Sequence, residues 1–290
     1  MFKQLALIGC GLMGGSFALA LKRAGLVEQV VGHSKSAAST KLALGLGVVD
    51  SCAETALAAV SGADLVRIAG PVSATETCLT AIRPGLQGDA LLMDVGSTKC
   101  DVVDTARRAL GGQFELFVPA HPIAGSEQAG VAHADTGLYQ GRQVILTPLA
   151  QTRDDLVRKA ATVWTAIGAQ VRQMSPERHD AAFAAVSHLP HLLSFALVNS
   201  ITQQSRGADF LRLAGPGFRD FSRIAASEPG MWRDILRVNQ AEVLAQCQQF
   251  RASLLALEQA MLSADGAALE SLIEQASQTR AQWRMGPVAR

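Results

Sequence analysis

The chain has almost no charge imbalance, with 26 basic against 25 acidic side chains in 290 residues. A nucleic-acid binder needs a basic excess or stripe, and a binder of anionic lipid needs a polybasic segment. The sequence offers neither, so no nucleic-acid or membrane partner is expected. It also lacks paired cysteines. Cys10, Cys52, Cys78, Cys100 and Cys247 are scattered, with no C-x-x-C, which argues against a disulfide framework and a zinc site and for a reduced compartment. No uninterrupted apolar run reaches the roughly 18 residues that suggest a spanning helix. No internal repeat or low-complexity tract is visible. The opening "MFKQLALIGCGLMGGSFALALKR" has the lysine, apolar stretch and small residues of a signal peptide, but no disulfide-stabilised secreted domain follows it. The expectation is a soluble, cytoplasmic protein whose length allows two domains.

What is present is alternation. Short apolar runs predict strands at 4–9, 29–33, 64–70, 90–96, 116–122, 143–148 and 169–174, with Ala-rich helical stretches at 12–24, 53–60, 74–83, 98–110 and 153–167. Strands alternating with helices predict a doubly wound, mostly parallel α/β sheet. At Ser175 the character changes: "SPERHD" supplies a Ser N-cap, Pro at the first helical position and Glu next. The remainder reads as helix, with interruptions near Gly207, Gly215–Gly217 and Glu228–Gly230. The expected division is an α/β domain over 1–174 and an all-helical domain over 175–290.

The first strand runs into Gly9, Gly11 and Gly14, a G-x-G-x-x-G opening an amphipathic helix, with Leu12 and Met13 inside the turn. In a strand–turn–helix this is the fingerprint of a Rossmann-like dinucleotide site. Gly9 permits the tight turn, Gly11 lets backbone approach the pyrophosphate, and Gly14 lets helix pack on strand. Such a site commonly carries an acid about 20 residues on, where it holds the adenosine ribose. Here that place reads "VVGHSKS", with His33, Ser34 and Lys35. Without the carboxylate a 2′-phosphate is no longer repelled, and the replacements offer charge-assisted bonds. NADP is therefore the favoured cofactor. The alternative is a merely solvated loop with NAD still bound.

Two further loops sit at carboxyl ends of predicted strands, where open α/β sheets bind ligands. "MDVGSTKCDV" holds Ser97, which reads either as a site residue or as the cap of helix 98–110. "FVPAHPIAGSEQAGV" presents His121, followed by Pro122, Gly125, Ser126 and Glu127. A histidine so held suits a proton acceptor, or is simply a polar loop residue. In the helical half His188 and His191 are three apart on one face, His179 falls near that face, and Pro190 is expected to kink the helix and free a carbonyl. These histidines read as site or core; no carboxylate or Cys at ligand spacing joins them, so no metal is expected. "FRDFSRIAASEPGMWRDI" gathers Arg219, Asp220, Arg223, Trp232, Arg233 and Asp234, among which one arginine suits a carboxylate fork.

Taken in order, the glycine fingerprint, "DVGSTK", "HPIAGSE", "SPERHD", "SHLPH" and "DFSRIA…MWRDI" resemble the prephenate/arogenate dehydrogenase family of tyrosine biosynthesis over nearly the whole chain. The resemblance implies a nucleotide-binding domain followed by a helical dimerisation domain, without an added mutase or regulatory domain. It implies that His121 accepts the proton of a ring hydroxyl, and that Ser97 bonds that hydroxyl or orients His121. It assigns Arg223 to a substrate carboxylate and His179, His191 and Trp232, with His188 nearby, to the substrate pocket. One departure is "DLVRIAGPV", where the family has an apolar strand ending Ala-Val-Pro; Arg67 and Gly70 stand there instead, with Gly70 on the cofactor side. The competing readings are another Rossmann-plus-helical dehydrogenase, of β-hydroxyacid dehydrogenase or imine reductase type, and a non-catalytic NADP-sensing dimer. Prephenate against arogenate is left open, as they differ only by a keto or amino group on the side chain.

Overall fold

The computed structural model describes residues 1–124 and 128–284. Its first elements are β1 (Phe2–Ile8), α1 (Leu12–Arg23), β2 (Val27–His33), α2 (Ala37–Gly45), β3 (Ser51–Cys52), α3 (Ala56–Val60), β4 (Leu65–Ile68) and α4 (Thr75–Ile82). They continue with β5 (Leu91–Met93), α5 (Cys100–Leu110), β6 (Phe117–Val118), β7 (Ala120–Pro122), β8 (Gln143–Leu146), α6 (Asp154–Ala166) and β9 (Gln170–Gln173). Six strands form a parallel sheet in the order β3-β2-β1-β4-β5-β6, the Rossmann-like arrangement. Its central strands are buried on both faces, with Leu5, Leu7, Leu65, Val66, Leu91 and Leu92 fully covered. That is why they read as continuous apolar runs rather than alternating ones.

The predicted strand 116–122 is instead two strands in two sheets. β6 ends the parallel sheet, and β7 pairs antiparallel with β8, which pairs parallel with β9. Pro119 separates them, and a residue with no N–H cannot continue a central ladder. Its carbonyl accepts from the Thr147 amide, which ties the crossing chain to the end of β8. One expected sheet thus becomes two, and the break delivers His121 to the second.

Helices follow: α7 (Pro176–Phe183), a π-helical turn at Ala184–His188, α8 (Leu189–Thr202), α9 (Gly207–Arg212), α10 (Pro216–Ser222), α11 (Pro229–Val238), α12 (Gln240–Leu262) and α13 (Gly266–Gln282). Two compact units result. The first contains Met1–Asp180 and also Ala226–Val238; the second contains Ala181–Ala225 and the chain from Asn239 on. The expected division at 174/175 therefore differs from the packing at two places. His179 and Asp180 bond into the α/β unit, and α11 packs on the turn at Val72–Ala74 after β4. The segment Pro176–Thr202 is long and apolar enough on average to cross a membrane, with a mean hydropathy of 1.6. Counting uninterrupted runs misses this, because Ser187, His188, Pro190 and His191 break the run without lowering the average far.

The glycine turn is constrained by close approach. Gly9 has φ +102°, and a Cβ there would lie 2.7 Å from the Ala69 carbonyl carbon. A Cβ on Gly14 would meet the Gly9 carbonyl oxygen below any van der Waals distance and the Leu7 side chain at 2.9 Å. Around Gly11 a Cβ would meet nothing within 4 Å. Gly14→Ala is expected to cost about 1–3 kcal/mol, as overpacking does, and Gly11→Ala under about 1 kcal/mol; urea unfolding of the two variants measures the difference.

Candidate active site

α1 starts with Gly11 at its N-cap, without a side-chain cap and without an acidic residue in its first turn. The first amides of a helix have no partner within it, and the helix dipole favours an anion there. With open space around Gly11 and close packing at Gly9 and Gly14, the turn fits a dinucleotide pyrophosphate. Gly70, where a Cβ would likewise meet nothing within 4 Å, follows β4 on the same rim of the sheet.

Beyond β2, a cavity of about 280 Å³ is lined by His33, Ser34, Lys35, Lys41, Cys52 and Glu54, among others. Ser34 Oγ accepts from the Cys10 amide at 2.7 Å, so it also fastens β2 to the glycine turn. His33 lies with Nδ1 3.1 Å from the Ala53 carbonyl, which makes Nδ1 the protonated nitrogen. Two charged lining residues fall outside the sequence motifs. Lys41 arrives from α2, one turn along a helix that begins after Lys35, and Glu54 arrives from the loop after β3. The cavity thus has two ammonium groups and one carboxylate.

His121 on β7 is held at both its backbone and its ring. Asp94 Oδ1 accepts from the Ala120 amide at 2.8 Å, and Lys99 Nζ donates to the Ala120 carbonyl at 3.1 Å. Asp94 and Lys99 are themselves an ion pair at 2.5 Å, with Lys99 fully buried. His121 Nδ1 lies 2.8 Å from His179 Nε2, and His179 Nδ1 lies 2.7 Å from Asp180 Oδ1. Asp180 then accepts from the Lys99 and Cys100 amides at 2.8 and 2.9 Å. It is the cap of α5, taken from 80 residues away. Ser97, half-buried in the loop between Asp94 and Lys99, neither caps that helix nor is the partner of the His121 Nδ1 atom. That orienting role falls to His179.

The chain of contacts fixes protonation. Burial would raise the Asp180 carboxyl, but the bonds from His179, Cys100 and Lys99 outweigh it and hold the group below its ordinary range. Burial lowers His179, although Asp180 opposes this. A neutral His179 giving its Nδ1 proton to an ionised Asp180 presents a lone pair at Nε2. His121 must then donate from Nδ1, which leaves its Nε2 as the basic nitrogen. Tautomers here are assigned from the hydrogen-bond network. Asp180 escapes a reading of the sequence, although it stands inside the quoted "SPERHD". Gly125, Ser126 and Glu127 lie outside the described residues.

The remaining expected residues divide between the two units. Trp232 is buried on α11 in the first unit, and the neighbouring Asp234 carboxylate is held down by bonds from Arg233 and Ser73. In the second unit His188 is buried, with Nδ1 3.1 Å from the Asn239 amide nitrogen. That bond ties the π turn to the start of α12. His191 Nδ1 donates to the Ser187 carbonyl at 2.8 Å, and the nearby charge of exposed Arg223 adds to burial in lowering the His191 pKa. The π turn also explains why helical spacing misplaces His179. Its wider coil, just before Pro190, breaks the 3.6-residue phase that would put His179 and His188 on one face.

A parallel sheet with an open glycine turn, and a histidine locked in one tautomer in the same unit, define an NAD(P)-dependent oxidoreductase. Residues 17–173 match the family model described as prephenate dehydrogenase, nucleotide-binding domain, and residues 175–275 the one described as prephenate dehydrogenase, dimerization domain. The chain is 39% identical over 243 residues to prephenate dehydrogenase of Bacillus subtilis, covering 83% of this chain and 65% of that protein. It is 35% identical over 267 residues to cyclohexadienyl dehydrogenase of Zymomonas mobilis, covering 91% and 90%. Prephenate dehydrogenase from Aquifex aeolicus, solved with hydroxyphenyl propionate and NAD+, superposes with a TM-score of 0.91 at 34% identity, covering 97% of this chain and 98% of that one. The chain belongs to the prephenate dehydrogenase family.

The lowered His179 pKa carries a stability consequence. A histidine that is harder to protonate folded than unfolded contributes stability that is complete above about pH 6.5 and declines as pH falls toward the folded value. The wild-type protein should lose stability between about pH 7.5 and about pH 5.5, the window that brackets that reference value. His179→Gln should flatten that part of the profile, measured by urea unfolding at both values.

Proposed function

We propose that the protein catalyses the oxidative decarboxylation of prephenate to 4-hydroxyphenylpyruvate, of arogenate to tyrosine, or of both, with NADP as the favoured cofactor. The observation that carries this reading is the His121–His179–Asp180 chain, which engages His121 Nδ1 as a donor and leaves Nε2 as the basic nitrogen. In these substrates a cyclohexadiene bears a hydroxyl on one ring carbon and a carboxylate on the opposite one. His121 Nε2 takes the hydroxyl proton as that carbon is oxidised. The Nδ1 proton stays with His179, so positive charge forming on His121 is met by a lone pair and, behind it, by a carboxylate. When bound, the nicotinamide accepts the hydride. Loss of carbon dioxide and aromatisation make the step strongly downhill.

Ser97 is assigned to the same hydroxyl. Arg223 is assigned to a substrate carboxylate, with His191 beside it, and Trp232 to the pocket wall. The glycine turn, with Leu12 and Met13 amides, holds the pyrophosphate. His33, Ser34 and Lys35 surround the adenosine ribose, with Lys41 added to them. Two ammonium groups favour a 2′-phosphate, whereas Glu54 in the same cavity favours the two free hydroxyls of NAD; two cations against one carboxylate tip the reading to NADP. The helical unit is assigned to a homodimer, in keeping with its exposed Leu254, Leu255, Met261, Leu262 and Ile273.

Initial rates with prephenate and arogenate, each with NAD and NADP, test the reading; no turnover of either acid would overturn it. His121→Asn should lower kcat by about 10² to 10⁴, the range of general-base assistance, with dinucleotide binding retained by fluorescence titration. Lys35→Asp combined with Lys41→Asp should reverse the NADP/NAD ratio of kcat/KM by more than tenfold, since each replaces a cation with an anion near the 2′ position. An unchanged ratio would assign the cofactor preference elsewhere.

A further inference from the structure

Arg67 is fully buried on β4, opposite Leu7 of β1 and Met93 of β5. None of its three guanidinium nitrogens has a hydrogen-bond partner among the described residues. The group lies between aromatic faces, 4.8 Å from the Phe17 ring centre and 4.7 Å from that of Trp164. Burial lowers its pKa only to about 10, so it is cationic at neutral pH. Asp94 does not neutralise it by contact: both Asp94 oxygens are engaged by Lys99, Gly96 and Ala120. A buried charge without a carboxylate partner is costly, and two ring faces return only part of that cost.

The position of this charge relates it to α1. Arg67 shares its side of the sheet with Ala69, and both Ala69 and Leu7 lie directly under Gly14. Phe17, on which Arg67 stacks, is one turn further along the same helix. The aromatic cluster continues to Tyr139, 5.1 Å from Trp164 and 6.5 Å from Phe17 between ring centres. The Tyr139 hydroxyl donates to the Met13 carbonyl at 2.6 Å, inside the glycine turn. A cation thus sits in low dielectric beneath the helix whose amino terminus faces the pyrophosphate, connected to that turn through Tyr139.

We propose that Arg67 is an internal counter-charge for the dinucleotide, stabilising the bound pyrophosphate through the apolar interior without touching it. This rests on the cofactor site proposed above. Its charge is shielded from salt by burial, and its effect falls on anionic ligands alone. Lacking a hydrogen-bonded carboxylate among the described residues, it disfavours the empty fold and favours the liganded one.

The test is Arg67→Met, which keeps the stacking volume and removes the charge, alongside Arg67→Lys, which keeps the charge. For Arg67→Met the dissociation constants of NADP, NAD and ADP-ribose should each rise roughly tenfold, the order expected of one charge acting in a protein interior. Adenosine binding should stay unchanged. The tenfold loss should persist between about 0.05 and about 0.5 M salt, a range over which exposed charges are increasingly screened, and the thermal midpoint of the unliganded protein should hold or rise. Arg67→Lys should recover most of the affinity. Unchanged ADP-ribose binding in Arg67→Met would overturn the proposal, as would equal losses for adenosine and ADP-ribose or a lowered midpoint with no recovery by lysine. If the wild-type protein itself bound neither dinucleotide, the functional reading would fail instead.

Discussion

A closed circuit of buried polar contacts governs the first unit. It runs from the Asp94–Lys99 pair to the backbone of Ala120, through the rings of His121 and His179 to Asp180, and back to the amides of Lys99 and Cys100. Each member satisfies the next, so no single group bears its desolvation alone. Breaking a buried pair from one side typically costs about 3–5 kcal/mol, because the other charge is stranded. The circuit joins the end of β5, the start of α5, the first strand of the second sheet and the first helical turns after Ser175. The catalytic candidate therefore inherits its orientation from four separate stretches of chain.

Much of this is legible in the sequence, for identifiable reasons. β1, β4 and β5 announce themselves because strands covered on both faces are continuous apolar runs. β2 and β6 also read as short apolar runs, and the glycine fingerprint marks where α1 begins. β3, two residues at the sheet edge with one of them exposed, carries no such run and escapes. His121, Ser97 and Lys35 stand at strand ends, where ligand-binding residues are expected. What escapes is whatever depends on contact across large separations. Asp180 caps a helix 80 positions earlier, and no local pattern distinguishes it from any acid near a helix start. Lys41 looks like a solvated residue on a weakly amphipathic helix. The split of 116–122 into two sheets is written in Pro119, but an apolar run around a proline reads equally well as one edge strand.

The histidines teach a related lesson about periodicity. Spacing alone puts His179, His188 and His191 on one face; a π turn intervenes, and the three have different partners. His179 relays between His121 and Asp180, His188 meets Asn239, and His191 caps a carbonyl of the widened turn. Resemblance to a family groups these residues by role, whereas the hydrogen bonds give each of them a different partner. Similarly Arg67, which departs from the family's apolar strand, is accommodated by aromatic faces rather than by an opposite charge.

The return of Ala226–Val238 to the first unit has an evolutionary consequence. Because the α/β unit is completed by α11 and by the His179–Asp180 pair, its parts are interleaved in the gene with those of the helical unit. A single recombination point anywhere near 174/175 separates Trp232 from the turn its helix packs on and His121 from its relay. Shuffling of cofactor-binding halves among relatives is thereby discouraged, and the two units are expected to diversify together, as one inherited block.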